Sequence, residues 1–263
     1  MKRTVALTVI CFLSVLPALA QEWAREGLNK SPRHGEWVTI KNGDRSIQAF
    51  VVYPERKDKA PAVVVIHEIY GLSDWVRSVA DQLAANGYIA IAPDLLSGMG
   101  PKGGGTSDFP DQTAVVDAIR KLNPDTVTAD LNATADYVKK LPAANGKVAV
   151  AGFCWGGGQS FRFATNRPDL AAAFVFYGQP PDDVTKIKGP VYGFYAGNDA
   201  RIDATIPATQ DAMKKAGKKY DPVTYDGAGH GFMRAGQDPA GKDADKKAHD
   251  DGWKRWLDLL KAI

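Results

Sequence analysis

Apolar runs alternate with amphipathic stretches along most of the chain, and this alternation predicts a mixed α/β fold. The runs at 62–66, 88–92 and 147–151 are almost continuously apolar, which is typical of strands that are buried on both faces of a sheet. Between these runs, residues 74–86 and 124–141 carry apolar side chains at helical spacing. Strands that alternate with helices in this way form a mostly parallel, doubly wound sheet with helices on both faces.

Further elements extend the pattern toward both ends of the chain. Asn42-Gly43 is a hairpin turn signal between two segments that predict strands, 36–41 and 46–53. Residues 21–33 are polar and predict only a short lead-in. The remaining predictions are strands at 171–177, 191–196 and 220–225 and helices at 112–121, 206–216 and 243–263.

One long loop is predicted at 95–110. It is rich in Gly, Ser and Pro, which is typical of a wall or lid over a site. It contains a formal G-x-G-x-x-G at Gly98, Gly100 and Gly103, but Pro101 interrupts that motif and further glycines follow it instead of a helix. We therefore reject a dinucleotide site in this loop and expect no cofactor.

The N-terminal 20 residues predict an export signal. Lys2 and Arg3 form a basic n-region, residues 5–15 form an apolar core, and Ala-Leu-Ala at 18–20 forms a cleavage site. A membrane anchor is the alternative, but the apolar stretch is shorter than a full span. We therefore expect a periplasmic or secreted protein that contacts no membrane after signal removal, with residues 21–263 forming a single domain.

Charge and histidine content argue against two classes of site. The formal net charge is +3, and Lys2 and Arg3 contribute two of these charges. Because no basic stripe with interleaved aromatic residues occurs, nothing in the sequence favours nucleic-acid binding. The four histidines show no ligand spacing, so we also expect no metal site.

The cysteine count directs attention to one thiol. Of the two cysteines, Cys11 lies in the predicted signal, and the mature chain keeps only Cys154. An exported protein with one cysteine forms no internal disulfide, so its thiol serves another purpose. The alternatives are a buried small apolar side chain and a nucleophile.

The local sequence favours the nucleophile. Gly152-Phe153-Cys154-Trp155-Gly156 follows a predicted strand and precedes a helical segment, which is the pattern of the nucleophile elbow G-x-S-x-G with Cys in place of Ser. Glycine suits both flanks because a side chain there would crowd the sharp turn. The N–H groups at the start of the following helix would favour a thiolate or an oxyanion.

Further candidate groups follow other predicted strands. Sites in parallel sheets form at the carboxyl ends of strands, where Glu68, Cys154, Asp199 and His230 are expected. The order nucleophile, acid, histidine is that of the α/β-hydrolase triad, with His230 as the proton acceptor and donor and Asp199 orienting the imidazole. Taken singly, Asp199 could be a turn residue and His230 a loop histidine, whereas His67 is better explained as a hydrogen-bonded core histidine.

Five motifs together resemble the dienelactone hydrolase (carboxymethylenebutenolidase) family of α/β-hydrolases, from about residue 36 to the C-terminus. The resemblance implies an α/β-hydrolase fold and the opening of a small ester or lactone through a covalent acyl intermediate on cysteine. The motifs are His67-Glu68-Ile69-Tyr70-Gly71-Leu72, Pro93-Asp94-Leu95, Gly152-Phe153-Cys154-Trp155-Gly156-Gly157, Gly197-Asn198-Asp199 and Gly229-His230-Gly231-Phe232.

The resemblance also implies roles for residues outside the triad. Glu68 is similar to a family carboxylate that holds the resting thiol and helps to deprotonate it when substrate enters. The backbone N–H groups of Ile69 and Trp155 would form the oxyanion hole. Arg234 resembles a family arginine that holds the substrate carboxylate, although a structural salt bridge is the alternative for this side chain.

The sequence departs from the family in one region of the site. Members that cleave dienelactone carry a second carboxylate-binding arginine shortly after Pro-Asp-Leu, whereas residues 96–102 contain none. Lys102 or Arg201 could take its place.

We therefore predict a monomeric carboxylic ester or lactone hydrolase with a Cys-His-Asp triad and a small-molecule substrate, which need not be dienelactone. The alternatives are an exported, non-catalytic ligand-binding protein and a thiol redox protein on the same scaffold.

Overall fold

Eight strands form one sheet in the computed structural model, which describes residues 21–263; the predicted export signal lies outside these residues. The strand order is β1-β2-β4-β3-β5-β6-β7-β8. Strands β1 and β2 run antiparallel to their neighbours, and the other strands pair in parallel. The strands are β1 (Gly35–Asn42), β2 (Arg45–Val52), β3 (Ala60–Ile66), β4 (Ile89–Pro93), β5 (Ala144–Phe153), β6 (Ala173–Phe176), β7 (Val191–Ala196) and β8 (Tyr220–Tyr225). The predicted α/β fold with a mostly parallel sheet is confirmed.

Helices cover both faces of the sheet because both faces are apolar. Along β3, Val63 and Val65 belong to one core cluster, whereas Val64 and Ile66 belong to the other, as the period of a strand requires. None of the helices within residues 21–263 is long and apolar enough to cross a membrane. The helices are α1 (Glu22–Lys30), α2 (Asp74–Ala85), α3 (Gln112–Arg120), α4 (Pro124–Lys139), α5 (Trp155–Asn166), α6 (Ala200–Asp203), α7 (Ile206–Lys215), α8 (Phe232–Ala235) and α9 (Asp243–Leu260).

The lead-in predicted at 21–33 is wrong, because most of it is helix α1. Tertiary contacts stabilise this polar helix: Ala24 is buried in the core, and the Gln21 side chain accepts a hydrogen bond from the Trp75 N–H at the start of α2. Arg33 then pairs with Asp81 on α2. None of these contacts requires apolar residues at helical spacing within the segment, so its sequence does not predict the helix.

Two carboxylates hold the 95–110 loop in shape through hydrogen bonds to its own backbone and to the Thr106 hydroxyl. Asp94 accepts hydrogen bonds from the Leu96 N–H (3.1 Å), the Thr106 N–H (2.6 Å) and the Thr106 hydroxyl (2.7 Å). Asp108 accepts from the N–H groups of Lys102 and Gly104, at 2.7 and 3.1 Å. The loop is therefore tied at several points along its length.

Candidate active site

Cys154 lies on a strained turn between β5 and α5. Its backbone angles are φ 56° and ψ −117°, in a region that a residue with a side chain rarely adopts. A Cβ on Gly152 would lie 1.9 Å from the Gly156 carbonyl oxygen, and one on Gly156 would lie 2.3 Å from that of His67. Both glycines of the predicted elbow are therefore required by close backbone contacts.

Asp199 and His230 are brought together from two neighbouring strands. Asp199 follows β7 and is buried, whereas His230 follows β8 and keeps 32% of its side chain exposed. The Nδ1 atom of His230 lies 2.5 Å from Oδ2 of Asp199. A carboxylate there accepts the Nδ1 proton, which leaves Nε2 of the imidazole as the proton acceptor.

Glu68, just beyond the end of β3, is buried and forms an ion pair with the partly exposed Arg234. Oε2 of Glu68 accepts a hydrogen bond of 2.7 Å from Nε of Arg234, and only 3% of the Glu68 side chain is exposed. Burial raises the pKa of Glu68, and the charges of Arg234 and His230 offset part of this rise. Glu68 thus lies within the electrostatic field of the Asp199–His230 pair.

The Cys154 thiol is surrounded by groups with opposite effects on its charge. Burial, followed by the negative charge of Glu68, raises the pKa of Cys154. Hydrogen bonding by the backbone N–H groups of Trp155 and Ile69, and the positive charge of Arg201, act to lower this pKa but do not reverse the rise. The resting side chain is therefore a neutral thiol, and the two N–H groups predicted to form the oxyanion hole face its sulfur.

The histidine beside Glu68 has a structural role, as expected. His67 is fully buried; its Nδ1 donates to the Glu68 carbonyl oxygen at 2.8 Å, and its Nε2 accepts from the Leu95 N–H at 3.4 Å. Its ring stacks on Trp155 with a centroid distance of 5.5 Å. Burial lowers the pKa of His67, so the ring stays neutral.

A cleft of about 720 Å³ opens onto Cys154. The α5 residues that line it recur at helical spacing, so one face of that helix forms a wall about 16 Å long. No group of side chains within residues 21–263 has the composition and spacing of a metal site. The lining residues of α5 are Trp155, Gly158, Gln159, Arg162, Thr165 and Asn166, and the facing residues include Tyr177, Gln179, Lys186 and Arg201.

Known proteins resemble this chain in sequence and in fold over most of its length. The profile of the "Dienelactone hydrolase family" matches residues 47–263. A "Putative carboxymethylenebutenolidase" of Salmonella typhi is 32% identical over 236 residues, which cover 84% of each chain. One of the same name from Escherichia coli K12 is 30% identical over 240 residues, 86% of each chain. The chain belongs to the dienelactone hydrolase family.

Solved structures agree with this assignment. The structure of a "Putative Dienelactone Hydrolase" from Klebsiella pneumoniae superposes with a TM-score of 0.76 at 25% identity, covering 88% of this chain and 99% of that one. As a member of the dienelactone hydrolase family, the chain is a carboxylic ester or lactone hydrolase with a small-molecule substrate. Family membership thus favours a hydrolase over the ligand-binding and redox alternatives.

The three basic residues considered for carboxylate binding differ in position. Arg234 lies in the ion pair with Glu68 and is not among the residues that line the cleft, so its predicted contact with substrate stays a prediction. Lys102 is also absent from that lining. Arg201, in contrast, lines the cleft together with Cys154.

Tyr177 is a residue of the site that the sequence analysis missed. It follows β6 with φ 40°, and its ring packs edge-on against His230 at 5.0 Å. Its hydroxyl is buried without a hydrogen-bond partner among residues 21–263. Burial and the charge of Glu68 raise the pKa of Tyr177. The only signal in the sequence is its place before Gly178, at the end of a predicted strand.

Proposed function

We propose that the chain hydrolyses a small ester or lactone through a Cys154-His230-Asp199 triad and an acyl-enzyme intermediate. The observation that carries this proposal is the position of Cys154, on a strained elbow with the N–H groups of Trp155 and Ile69 at its sulfur. Strain of this kind persists only where the surrounding structure enforces it, and it is concentrated at functional sites.

The first step activates the thiol. Because the resting pKa of Cys154 is raised, the thiol must pass its proton to a base, and His230 and Glu68 are the two candidates whose charges act at the site. The proton on His230 would be stabilised by Asp199 at 2.5 Å. Glu68 can accept a proton because burial has already raised its own pKa.

The thiolate then attacks the carbonyl carbon, and the electron pair of the C=O bond moves onto oxygen. The N–H groups of Trp155 and Ile69 bind this oxyanion, and each such donor is worth about 3 kcal/mol in the transition state. Collapse of the intermediate breaks the C–O bond, and His230, in the triad the group that holds the proton taken from the thiol, passes this proton to the departing alkoxide. Water, deprotonated by His230, then attacks the thioester, which releases the carboxylic acid and regenerates the thiol.

The test is a paired assay of wild type and Cys154→Ala on p-nitrophenyl acetate and dienelactone. We expect Cys154→Ala to lose about 10³-fold or more in kcat while keeping its circular dichroism spectrum. Rapid quenching of the wild type should trap an acyl group whose mass is carried by the peptide containing Cys154. Full activity in folded Cys154→Ala would overturn the proposal. Turnover of the acetate alone would leave the chemistry standing and exclude dienelactone as the substrate.

We also propose that the protein is exported and that residues 1–20 are removed. The support is the basic n-region, apolar core and Ala-Leu-Ala motif of the sequence. N-terminal sequencing of protein recovered from the periplasm or the medium should begin at Gln21. Full-length protein confined to the cytoplasm would contradict the proposal. The expectation of a monomer stays a prediction.

A further inference from the structure

The two edge strands of the sheet, β1 and β8, differ in how their free sides are protected. Strand β8 contains Pro222, which has no N–H to donate, and its Asp221 carbonyl oxygen accepts a hydrogen bond of 2.8 Å from Arg255. Strand β1 is eight residues long and contains no proline. A long edge strand without such protection is a template for pairing with another strand.

The β1–β2 ladder determines which backbone groups of β1 face the free side. The Tyr53 N–H donates to the His34 carbonyl oxygen at 3.0 Å, in register with this ladder. Hydrogen-bonded and non-hydrogen-bonded pairs alternate between antiparallel strands, so the even-numbered residues of β1 bond to β2. The N–H and C=O groups of the odd-numbered residues Trp37, Thr39 and Lys41 therefore point away from the sheet. None of these groups has a hydrogen-bond partner within residues 21–263.

The free side of β1 is also accessible. Trp37 is 51% exposed, and the next two odd-numbered residues of the strand are exposed as well. A groove of about 610 Å³ lies between residues 39–42 of β1 and one face of α4. Two small side chains, Ala129 and Ala133, line the helical side of this groove. There is therefore room beside the edge for a further strand.

We propose that β1 of a second copy of this chain pairs antiparallel with this edge, so that the two sheets join across a two-fold axis at Thr39. A two-fold dimer presents the same surface from both copies, so the strand must be complementary to itself. With Thr39 on the axis, Val38 faces Ile40 of the second copy, which is an apolar pair. With Val38 on the axis instead, Glu36 would face Ile40 and place a charge against an apolar side chain.

The exposed tryptophan and lysine of the edge complement each other in this register. Trp37 lies opposite Lys41 of the second copy, where the lysine stem and its ammonium group can pack on the indole ring. This contact forms twice and covers the exposed ring in both copies. Strand β1 contributes no residue to the cleft at Cys154, so both clefts stay open. The dimer would overturn the sequence-based expectation of a monomer and does not depend on the proposed hydrolysis.

Multi-angle light scattering over a range of protein concentrations tests the association. The mass should rise toward twice that of the monomer as concentration increases. Thr39→Lys places like charges opposite each other on the axis and should raise the Kd of the dimer about tenfold or more. Its circular dichroism spectrum and kcat should match wild type, because Thr39 is exposed and lies outside the cleft. Thr224→Lys is the matched control, since Thr224 is an exposed threonine of the other edge strand, β8.

Disulfide formation tests the register. In a background of Cys11→Ser and Cys154→Ala, Thr39→Cys should form an intermolecular disulfide under mild oxidation. Facing hydrogen-bonded residues have Cα atoms about 5.5 Å apart, which is within the range of a disulfide. Thr224→Cys, in the same background, should cross-link at least about tenfold more slowly.

Two outcomes would overturn the inference. One is a monomer at every concentration, whether or not the edge accepts a strand from another protein. The other is a dimer that is unaffected by Thr39→Lys and cross-links no faster at residue 39 than at residue 224, because its interface would then lie elsewhere. Association that is weakened by Thr39→Lys alone, with rapid cross-linking at residue 39, would establish the joined sheet.

Discussion

The charge state of Cys154 is set by its nearest neighbours. Burial and Glu68 keep the pKa of the thiol raised, while the N–H groups of Trp155 and Ile69 and the charge of Arg201 pull it down. A protonated thiol is a poor nucleophile and a poor target for alkylation or oxidation. The resting site is therefore protected, and reaction requires that a base take the proton when substrate is present.

Glu68→Gln tests this balance, since it removes the negative charge but keeps an amide oxygen that can accept from Arg234. The pKa of Cys154 should fall, so alkylation by iodoacetamide at neutral pH should become faster and its pH midpoint should move down. Turnover of p-nitrophenyl acetate should instead fall, by about 10²-fold, if Glu68 serves as a base. The measurements are alkylation rates across pH and steady-state kcat.

Glu26→Gln is the control, because the one ion pair of Glu26 in the described part of the chain is an exposed pair with Lys30 on α1. It should leave the alkylation midpoint and kcat unchanged. An unchanged or raised midpoint in Glu68→Gln would show that the Glu68 charge does not act on the sulfur. Faster alkylation with unchanged kcat would show that Glu68 tunes the thiol without acting as a base.

At the scale of residues, the sequence predicts the site residues that are marked by their immediate neighbours in the chain. Cys154 and His230 were predictable because their flanking glycines and the strands before them mark tight turns. The Glu68–Arg234 pair joins residues 166 positions apart, so no local spacing in the sequence predicts this contact. The location of Arg201 in the cleft likewise depends on how α6 turns after β7.

At the scale of elements, the 95–110 loop supports the turn that carries Glu68 and Ile69. The Thr106 hydroxyl accepts a hydrogen bond from the Leu72 N–H at 3.0 Å and donates to Asp94 at 2.7 Å. A Cβ on Gly71, whose φ is +72°, would lie 2.4 Å from that hydroxyl oxygen. The loop is thus packed closely against the turn after β3.

Thr106→Val should loosen this turn, because it keeps the shape of the side chain and removes the hydroxyl. The Leu72 N–H and a carboxylate oxygen of Asp94 would each lose a partner, which costs about 1–3 kcal/mol of unfolding free energy. Misplacement of the turn should also lower kcat/KM on p-nitrophenyl acetate about tenfold. Urea unfolding and steady-state kinetics check the two effects.

Thr106→Ser is the matched variant, since it restores the hydroxyl and omits only the methyl group. It should stay within about threefold of wild-type kcat/KM, because both hydrogen bonds can still form. Wild-type behaviour of Thr106→Val together with a loss in Thr106→Ser would show that packing of the methyl group, and not the hydrogen-bonded bridge, positions the turn.

Sequence periodicity succeeds for elements that bury an apolar stripe and fails for those held by other contacts. Helices α2 and α4 were predicted within two residues at each end, since their apolar positions recur at helical spacing. Helix α1 was missed because only Ala24 of its residues is buried. The four-residue helices α6 and α8 are too short to show any period.

At the scale of the molecule, the parallel sheet assembles the site from distant parts of the chain. Strands β3, β5, β6, β7 and β8 are consecutive neighbours, and all run in the same direction. The carboxyl ends of these strands therefore lie side by side along one edge of the sheet, and the residues that follow the strands are arranged there in the same order. The residues that follow these strands are Glu68, Cys154, Tyr177, Asp199 and His230.

The Glu68–Arg234 pair connects two ends of this edge, and Arg234→Met should show its effect on global stability. The variant would leave the Glu68 carboxylate buried without its counter-charge, a change that costs about 3 kcal/mol of unfolding free energy at pH 7.5. The pKa of Glu68 is already raised in the folded state, and Arg234 offsets part of that rise. Loss of Arg234 therefore raises this pKa further.

The sign of the pH dependence follows from this shift. A carboxyl group whose pKa is higher in the folded than in the unfolded protein binds extra protons on folding, so stability is lost as pH rises from the unfolded toward the folded pKa. In Arg234→Met, the pH range over which stability is lost extends to higher pH. The difference from wild type should thus be large at pH 7.5 and shrink to about 1 kcal/mol at pH 4, where Glu68 is neutral in both proteins.

Urea unfolding followed by tryptophan fluorescence at the two pH values measures this difference. Arg25→Met is the control, because within residues 21–263 the one ion pair of Arg25 is with Glu22 on the exposed face of α1. This variant should show no resolvable change at either pH. A loss in Arg234→Met that is the same at pH 4 and pH 7.5 would mean that the lost contact of the guanidinium over the Tyr70 ring, at 5.4 Å, outweighs the charge left on Glu68. A loss confined to neutral pH would show that the charge left on Glu68, and not the lost contact with Tyr70, accounts for the destabilisation.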